Sequence, residues 1–272
     1  MAGNGKTCYF PDIGAGGWQT TEKSTTKREC LMLRHEHSLF KIIKLKDMLY
    51  AMDKRRAIQI ITKAAELYRE NLEDQKILFL YGIPSEIREQ LQREDKKLLA
   101  IKSYEVVFHR CNFLHLTGVR LNSREIASSI HFYEKCLDKR LTEKDFIFAK
   151  DGSTGQKLDI LETMMRIKKN VIMIGDFTDR GPKLFTEKAA GNTCGCIGFV
   201  QDRNTRLNVP NTLLKKDIRD VTASPVQKVY AVFSKGYMEK CYSVIEKLDK
   251  SINIKEYTFS EEIEKMLKRE RE

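Results

Sequence analysis

The chain has 272 residues, a formal net charge of +11 and 41% hydrophobic residues. This length predicts one large domain or two smaller ones, and the apolar fraction is high enough for a packed core, which excludes global disorder. The sequence has no apolar run near the roughly 20 residues of a membrane helix and no apolar signal-peptide region at its N-terminus. We therefore expect a cytoplasmic protein without membrane contact, and the excess of lysine and arginine favours a polyanionic partner.

The cysteines argue against a disulfide framework and against a zinc ribbon. There are seven, an odd number, and no C-x-x-C pair occurs. Cys194 and Cys196 are separated by a single glycine, but no further ligands stand at metal-binding spacing around them. The sequence therefore predicts neither a metal site nor a cofactor.

The first hundred residues divide into two segments. Residues 1–30 are rich in Gly, Thr and Lys without a hydrophobic period, which predicts a flexible tail. Residues 31–100 carry apolar residues at near-helical spacing and are predicted to form a helical region. Within this region KILFLYG (76–82) is either a short strand or a buried helix end, because periodicity does not separate the two.

From residue 101 the sequence becomes rich in strand signals. SYEVVFHRCNFLHLTG (103–118) mixes β-branched, aromatic and polar residues and predicts one or two strands, and a helix with Asn122 as its N-cap is predicted next. A short helix through Leu158 and Met165 follows, and then three further strands are predicted in NVIMIGDF (170–177), CIGFVQD (196–202) and QKVYAVFSK (227–235). An amphipathic helix is predicted over MEKCYSVIEKL (238–248), and residues 256–272 predict a last, charged helix. Short turns between strands favour an α+β fold, in which the helical region precedes a mainly antiparallel sheet with flanking helices.

The stretch LHLTGVRLNSREIASSIHFYEKCLDKRLTEKDFIFAKDG (114–152) resembles the phage-type members of the barnase, EndoU, colicin E5/D and RelE (BECR) nuclease group, most closely the fourth of these families. The later runs CGCIGFV and VQKVYAVFSK are similar to the rest of the same domain. The resemblance implies a BECR-like nuclease domain over residues 101–255, with its site on the sheet face. It also implies metal-independent cleavage of RNA (tRNA included), a role as a phage, mobile-element or toxin protein, and an antitoxin or immunity protein as partner.

His115 is the first candidate for catalysis of this kind. Metal-free RNA cleavage needs a base for the 2′-hydroxyl proton, an acid for the leaving oxygen and cations for the phosphorane, and histidine can perform either proton transfer near neutral pH. If residues 113–117 form a strand, His115 and Thr117 share one face with Phe113, and Gly118 lets a nucleotide backbone come close. The alternative for His115 is a half-buried histidine bonded to a backbone carbonyl. We predict catalytic roles for His115 and Thr117.

The strand QKVYAVFSK (227–235) offers a second set of candidates. Strand alternation places Lys228, Tyr230, Val232 and Ser234 on one face, and Ser234 and Lys235 end the strand, where a polar pair can contact a phosphate. A solvated strand end is the alternative. We predict catalytic roles for Ser234 and Lys235 and phosphate binding by Lys228 and Tyr230.

Three more basic residues are predicted phosphate ligands. Lys150 closes DFIFAK, and Arg180 and Lys183 lie in the turn GDFTDRGPK, where arginine suits bidentate phosphate contact. Asp176 and Asp179 in the same turn are typical of turn chemistry rather than of a metal site.

Two other functions remain compatible with the sequence. One is a non-catalytic nucleic-acid-binding or interaction protein on the same fold, for which salt-sensitive binding without cleavage would be diagnostic. The other is a nucleotide-using, ADP-ribosyl-type transferase, although the absence of G-x-G-x-x-G disfavours a Rossmann form of it.

Overall fold

The structure is a computed structural model, described here over residues 52–178 and 185–267. The α-helices in these ranges are α1 (Lys54–Asn71), α2 (Pro84–Leu91), α3 (Phe113–Thr117), α4 (Ser129–Leu137), α5 (Ser153–Met164), α6 (Ile167–Asn170) and α7 (Glu261–Met266). The strands are β1 (Gln75–Gly82), β2 (Lys102–Val107), β3 (Val119–Leu121), β4 (Phe146–Phe148), β5 (Met173–Asp176), β6 (Lys188–Gly191), β7 (Cys196–Gln201), β8 (Asn208–Leu214), β9 (Gln227–Gly236) and β10 (Val244–Leu248). None of these helices has the length and apolar character needed to cross a membrane.

One large sheet organises the described residues. Its strands follow the order β2-β1-β9-β5-β6-β7-β8, with β10 paired to β9, and every neighbouring pair is antiparallel. β3 and β4 form a separate antiparallel ribbon. The predicted α+β fold with a mainly antiparallel sheet is confirmed.

The sheet curls until its two end strands approach each other. The Asn208 side-chain amide on β8 donates to the Glu105 carbonyl on β2 at 2.8 Å. The Phe199 ring of β7 meets Tyr104 and Phe108 edge-on, with ring centroids 6.1 and 6.0 Å apart. The concave face carries the larger apolar core, which α1, α3, α4 and α5 cover. The convex face packs against α2 and the segment 252–267.

The segment KILFLYG is a strand, and it lies inside the sheet, next to the end strand β2. β1 pairs with β2 on one side and β9 on the other, and Ile77 through Leu80 are all buried. Because both faces of β1 are covered, its sequence lacks the polar alternation that would have marked a strand. The described residues before and after position 100 belong to one compact unit, so the boundary expected there falls inside the sheet. The predicted tail and residues 31–51 lie outside the described residues.

The strand predicted over residues 113–117 is wrong. A 3₁₀ turn at Arg110–Asn112 leads directly into the helix α3, and Gly118, in the left-handed conformation (φ 70°), ends it. At helical spacing Phe113, Leu116 and Thr117 face the core, whereas His115 is exposed. The supposed strand face shared by Phe113, His115 and Thr117 does not exist, because packing of this short helix against α4 and α5 decided the local structure.

The amphipathic helix predicted over residues 238–248 is also wrong. Residues 244–248 form β10, with Val244 opposite Ser234 and Leu248 opposite Ala231. β9 extends past the end of β5, and the edge left free there accepts a strand rich in β-branched residues. Pairing with β9 therefore outweighed the helical spacing of apolar residues in this segment.

Two predicted helices begin later than expected. The helix expected after Asn122 starts at Ser129, where the hydroxyl of Ser128 accepts a hydrogen bond from the His131 amide at 3.1 Å. The charged C-terminal helix is confined, within the described residues, to α7.

Candidate functional site

Lys157 of α5 joins two distant parts of the chain. Its Nζ donates to the main-chain carbonyl of His115 at 3.4 Å and to the hydroxyl of Thr212 on β8 at 3.1 Å. Thr212 is buried and Lys157 is half-buried. No third acceptor for the ammonium occurs within the described part of the chain, so one N–H remains for another molecule. We call this group the His115–Lys157–Thr212 cluster.

The first turn of α5 is fixed by two hydrogen bonds through Thr154. Its hydroxyl donates to the Gly118 carbonyl at 2.7 Å and accepts from the Ala149 amide at 2.9 Å. These bonds attach α5 to Gly118, which precedes β3, and to Ala149, which follows β4. Lys157, one turn further along α5, is thereby held over Gly118, where a Cβ would lie 2.6 Å from the Lys157 Cδ atom.

We predict that Gly118→Ala destabilises the protein and displaces Lys157. The left-handed backbone alone costs an alanine about 1–2 kcal/mol, and the contact with Lys157 adds to this. The matched control is Gly152→Ala, because Gly152 also has a positive φ (74°) but no atom within 4 Å of the added Cβ. Thermal unfolding should show a larger loss for Gly118→Ala, and equal losses would contradict the close approach of Lys157.

The electrostatics of the cluster favour a neutral imidazole. The His115 side chain is exposed and forms no hydrogen bond with any described residue. Partial burial and then the positive charge of Lys157 lower the pKa of His115 below its usual value. Burial likewise lowers the pKa of Lys157, against the opposing charge of Asp151. At neutral pH His115 is therefore available as a proton acceptor.

A polar edge continues from Thr212. The Thr186 hydroxyl donates to the Asn211 side-chain oxygen at 3.1 Å, and the Asn211 amide donates to the Phe185 carbonyl at 2.7 Å. Gly198 lies between Thr186 and Thr212, since a Cβ there would be 2.8 Å from either methyl group. The Phe185 side chain is 91% exposed, which places a free aromatic ring beside this polar edge.

Thr117 supports the position of His115 from inside the protein. Its hydroxyl is buried, donates to the Leu114 carbonyl at 2.7 Å and accepts from the Val119 amide at 3.3 Å. These bonds close the C-terminal turn of α3. The hydroxyl is thus occupied by the backbone and faces away from solvent.

Ser234 and Lys235 belong to two other networks. The buried Ser234 hydroxyl donates to the Glu246 carboxylate at 2.7 Å, and the same carboxylate accepts from Lys168 at 2.5 Å. The Lys235 Nζ donates to the carbonyl of Lys240 at 2.9 Å. No hydrogen bond or ion pair between described residues connects either side chain with His115. Both networks hold β9 to the chain that follows it.

Lys228 and Tyr230 do not share a face with Ser234 as predicted. In its pairing with β1, β9 carries one extra residue, Tyr230, between Val229 opposite Tyr81 and Ala231 opposite Leu80, which marks a β-bulge. As a result Val229 and Val232 face the concave core, whereas Tyr230 is buried in the convex one. Lys228 pairs with the Asp249 carboxylate at 2.8 Å.

Of the remaining predicted phosphate ligands, only Lys150 lies within the described residues. Lys150 is exposed in the turn between β4 and α5, two residues after β4 ends. Arg120 on β3 is exposed as well. Asp151 follows Lys150 in this turn, and hydrogen bonds from Ser153 lower its pKa, to which the charge of Arg120 adds a smaller effect. Arg180 and Lys183 lie outside the described residues.

The sequence did not identify Lys157 or Thr212 as site residues. Lys157 is one of several polar residues in α5, and Thr212 is one threonine in a strand. No spacing relates either residue to His115, because the three lie on different elements. Chemically, the cluster combines a proton acceptor, an ammonium and a hydroxyl, which together can move a proton and hold a phosphate oxygen. Over residues 52–178 and 185–267, no group of three His, Cys, Asp or Glu side chains is arranged to ligate a metal.

Comparison with protein families matches residues 60–251 to the family described as phage-Barnase-EndoU-ColicinE5/D-RelE like nuclease4. The match starts within α1 and includes every strand of the large sheet, so it begins well before residue 101, where the resemblance was expected to begin. Searches among curated proteins and among solved structures found no match. Since the family match covers more than half of the chain, this protein belongs to the phage-type barnase, EndoU, colicin E5/D and RelE-like nucleases.

Proposed function

We propose that the protein is a metal-independent endoribonuclease whose chemistry takes place at the His115–Lys157–Thr212 cluster. The observation that carries the proposal is an exposed, neutral imidazole without a hydrogen-bond partner among the described residues, next to a half-buried lysine with a free N–H. A base and a cation in this arrangement are what cleavage at a 2′-hydroxyl requires.

In the proposed reaction His115 accepts the proton of the 2′-hydroxyl, and the 2′-oxygen forms a bond to phosphorus. The bond between phosphorus and the 5′-oxygen breaks, and Lys157 gives a proton to that leaving oxygen. Its lowered pKa makes Lys157 a stronger acid than an exposed lysine. Before this transfer the ammonium also neutralises the phosphorane oxygens. The products are a 2′,3′-cyclic phosphate and a 5′-hydroxyl, and solvent exchange restores both side chains.

The surface around the cluster supports binding of single-stranded RNA. Phe185 presents an exposed ring on which a base can stack, and stacking of this kind tolerates any sequence. Lys150 and Arg120 are exposed cations on the side of the β3–β4 ribbon, where they can contact backbone phosphates. The net charge of +11 also favours binding of the polyanionic RNA backbone.

The proposal is tested with a single-stranded RNA oligonucleotide and its all-deoxy counterpart, each incubated with the full chain in excess EDTA. We expect cleavage of the RNA only, at a rate independent of the chelator, with cyclic phosphate ends identified by mass spectrometry. Cleavage of the deoxy strand, or loss of cleavage on chelation, would contradict the mechanism. Salt-sensitive binding of RNA without any cleavage would instead support the non-catalytic alternative.

We also propose that the protein acts as a toxin in the cell. An antitoxin or immunity protein would then inhibit it by covering the His115–Lys157–Thr212 cluster. Induced expression of the wild-type chain should then arrest growth, whereas His115→Ala at equal abundance should not. Equal toxicity of the two chains would contradict the toxin role.

A further inference from the structure

The strand β10 leaves one of its edges open. Within the described residues it pairs with β9 alone, along the part of β9 that extends past β5. The Asp249 amide donates to the Tyr230 carbonyl at 2.7 Å, so in the antiparallel pattern the amide and carbonyl of Leu248 point away from β9. Neither group has a hydrogen-bond partner among the described residues. β10 therefore presents a main-chain donor and acceptor to which another strand can pair.

Exposed apolar side chains lie along this open edge. Val244, Ile245 and Leu248 of β10 are 50%, 55% and 40% exposed. Ile172, just before β5, is 41% exposed, and its carbonyl accepts from the Val229 amide, two residues along β9 from the partner of Leu248. Exposed apolar residues that are gathered at one place, rather than scattered singly, mark a surface that binds another molecule.

A register shift in β10 places two of these side chains on one face. Ile245 stands opposite Phe233 and Leu248 opposite Ala231, and both of these partners belong to the convex core. Because Glu246 is an extra residue between the two pairs, Ile245 and Leu248 both lie on the convex side of β10. An added strand would find apolar cross-strand contacts on that side.

The charge left at this edge is positive. The two carboxylates at β10, Glu246 and Asp249, are each paired with a lysine, at 2.5 and 2.8 Å. Lys169 on α6, whose charge acts on Glu246, forms no ion pair with a described residue, and neither do Lys247 and Lys250. These lysines favour an acidic partner, whereas a second copy of this chain would bring the same positive charges face to face.

We propose that β10 binds a protein partner through an extended segment that alternates acidic and apolar residues and adds to the sheet as a strand. The main chain of the segment pairs with Leu248, and its apolar side chains cover Ile245 and Leu248 on the convex side. Its acidic side chains then point to the concave side, where α6 packs and carries Lys169. The strands β5, β6 and β7 separate β9 from β8, so this edge is distinct from the proposed cleavage site.

The test measures binding of fluorescently labelled peptides to the full chain by fluorescence anisotropy. The probe is a blocked octapeptide of alternating valine and glutamate. One comparison peptide has lysine in place of every glutamate, and the other has proline in place of two valines. We expect saturable binding of the probe and affinities at least about tenfold weaker for the other two, because one reverses the charges and the other removes strand amides. Equal affinities for the three peptides, or no binding of the probe, would overturn the proposal.

Hydrogen exchange of the Leu248 amide shows where the probe binds. This amide has no acceptor in the free chain, so pairing with an added strand should slow its exchange severalfold. Saturable binding that leaves the exchange of Leu248 unchanged would contradict the addition of a strand at β10.

Ile245→Asp should weaken binding of the probe at least about tenfold, because it replaces an apolar contact with a like charge. The matched control is Ile147→Asp, since Ile147 is 52% exposed on β4, outside this edge, and thermal unfolding checks the fold of both variants. Equal affinities of the two variants, or a wild-type dimer that Ile245→Asp dissociates, would overturn the proposal. His115→Ala should bind the probe as the wild type does, so a failure of RNA cleavage and a failure of peptide binding are separate results.

Discussion

His115→Ala is expected to slow RNA cleavage by about 10²–10⁴-fold, which is the usual contribution of a positioned general base. The fold should be unaffected, because the His115 side chain is exposed and bonds to no described residue. Single-turnover cleavage of a labelled oligonucleotide measures the effect, and thermal unfolding checks the fold. Added imidazole should restore part of the lost rate by supplying the missing base.

His131→Ala is the matched control for this variant. His131 is a half-buried histidine on α4, and its Nδ1 accepts from the Ala127 amide at 3.3 Å. The variant therefore shows how much activity is lost when a histidine outside the cluster is removed. Its cleavage rate should stay near that of the wild type. If His131→Ala loses as much activity as His115→Ala, or His115→Ala retains full activity, the imidazole of His115 is not the base.

The dependence of cleavage on pH follows from the same residue. Because the pKa of His115 is lowered, its neutral form predominates from somewhat below pH 6.5 upward. The single-turnover rate should therefore rise with pH through a midpoint below 6.5 and be level at pH 7. A midpoint above the usual histidine value would contradict the environment assigned to His115.

The second large effect is expected for Lys157→Met, which should slow cleavage by about 10²–10³-fold, the usual cost of losing one transition-state donor. This substitution also removes a positive charge that lowers the pKa of His115. The midpoint of the pH–rate profile should consequently move to higher pH. Thermal unfolding should show an intact fold, because greater exposure of His115 would shift the midpoint in the same direction. Lys215→Met is the matched control, because Lys215 is an exposed lysine paired with Asp159.

Lys157→Arg separates the two roles proposed for the ammonium. Arginine keeps the positive charge but does not lose its proton at accessible pH. The variant should bind RNA normally yet cleave it slowly. A substrate with sulfur in place of the leaving 5′-oxygen needs no proton donor, so it should be cut by Lys157→Arg at nearly the wild-type rate. An equally slow reaction with this substrate would show that Lys157 is not the acid.

The sequence identified the strands with clear local signals and the fold class they imply. The strands in NVIMIGDF, CIGFVQD and QKVYAVFSK were predicted from β-branched and aromatic residues between turns, and the structure contains β5, β7 and β9 there. KILFLYG stayed undecided because a strand covered on both faces has no alternation to detect. The family resemblance, carried by the stretch around His115, also came from the sequence, although the matched domain begins earlier than the resemblance indicated.

The tertiary structure decided whatever depends on contacts between distant residues. Residues 113–117 became a helix and residues 244–248 a strand because packing on neighbouring elements outweighed local preference. The same holds for the His115–Lys157–Thr212 cluster. His115 stands out in the sequence three residues before Gly118, but Lys157 and Thr212 become its neighbours only when α3, α5 and β8 pack together. Local spacing encodes period and turns, whereas a site assembled from three separate elements is encoded only in the way those elements pack together.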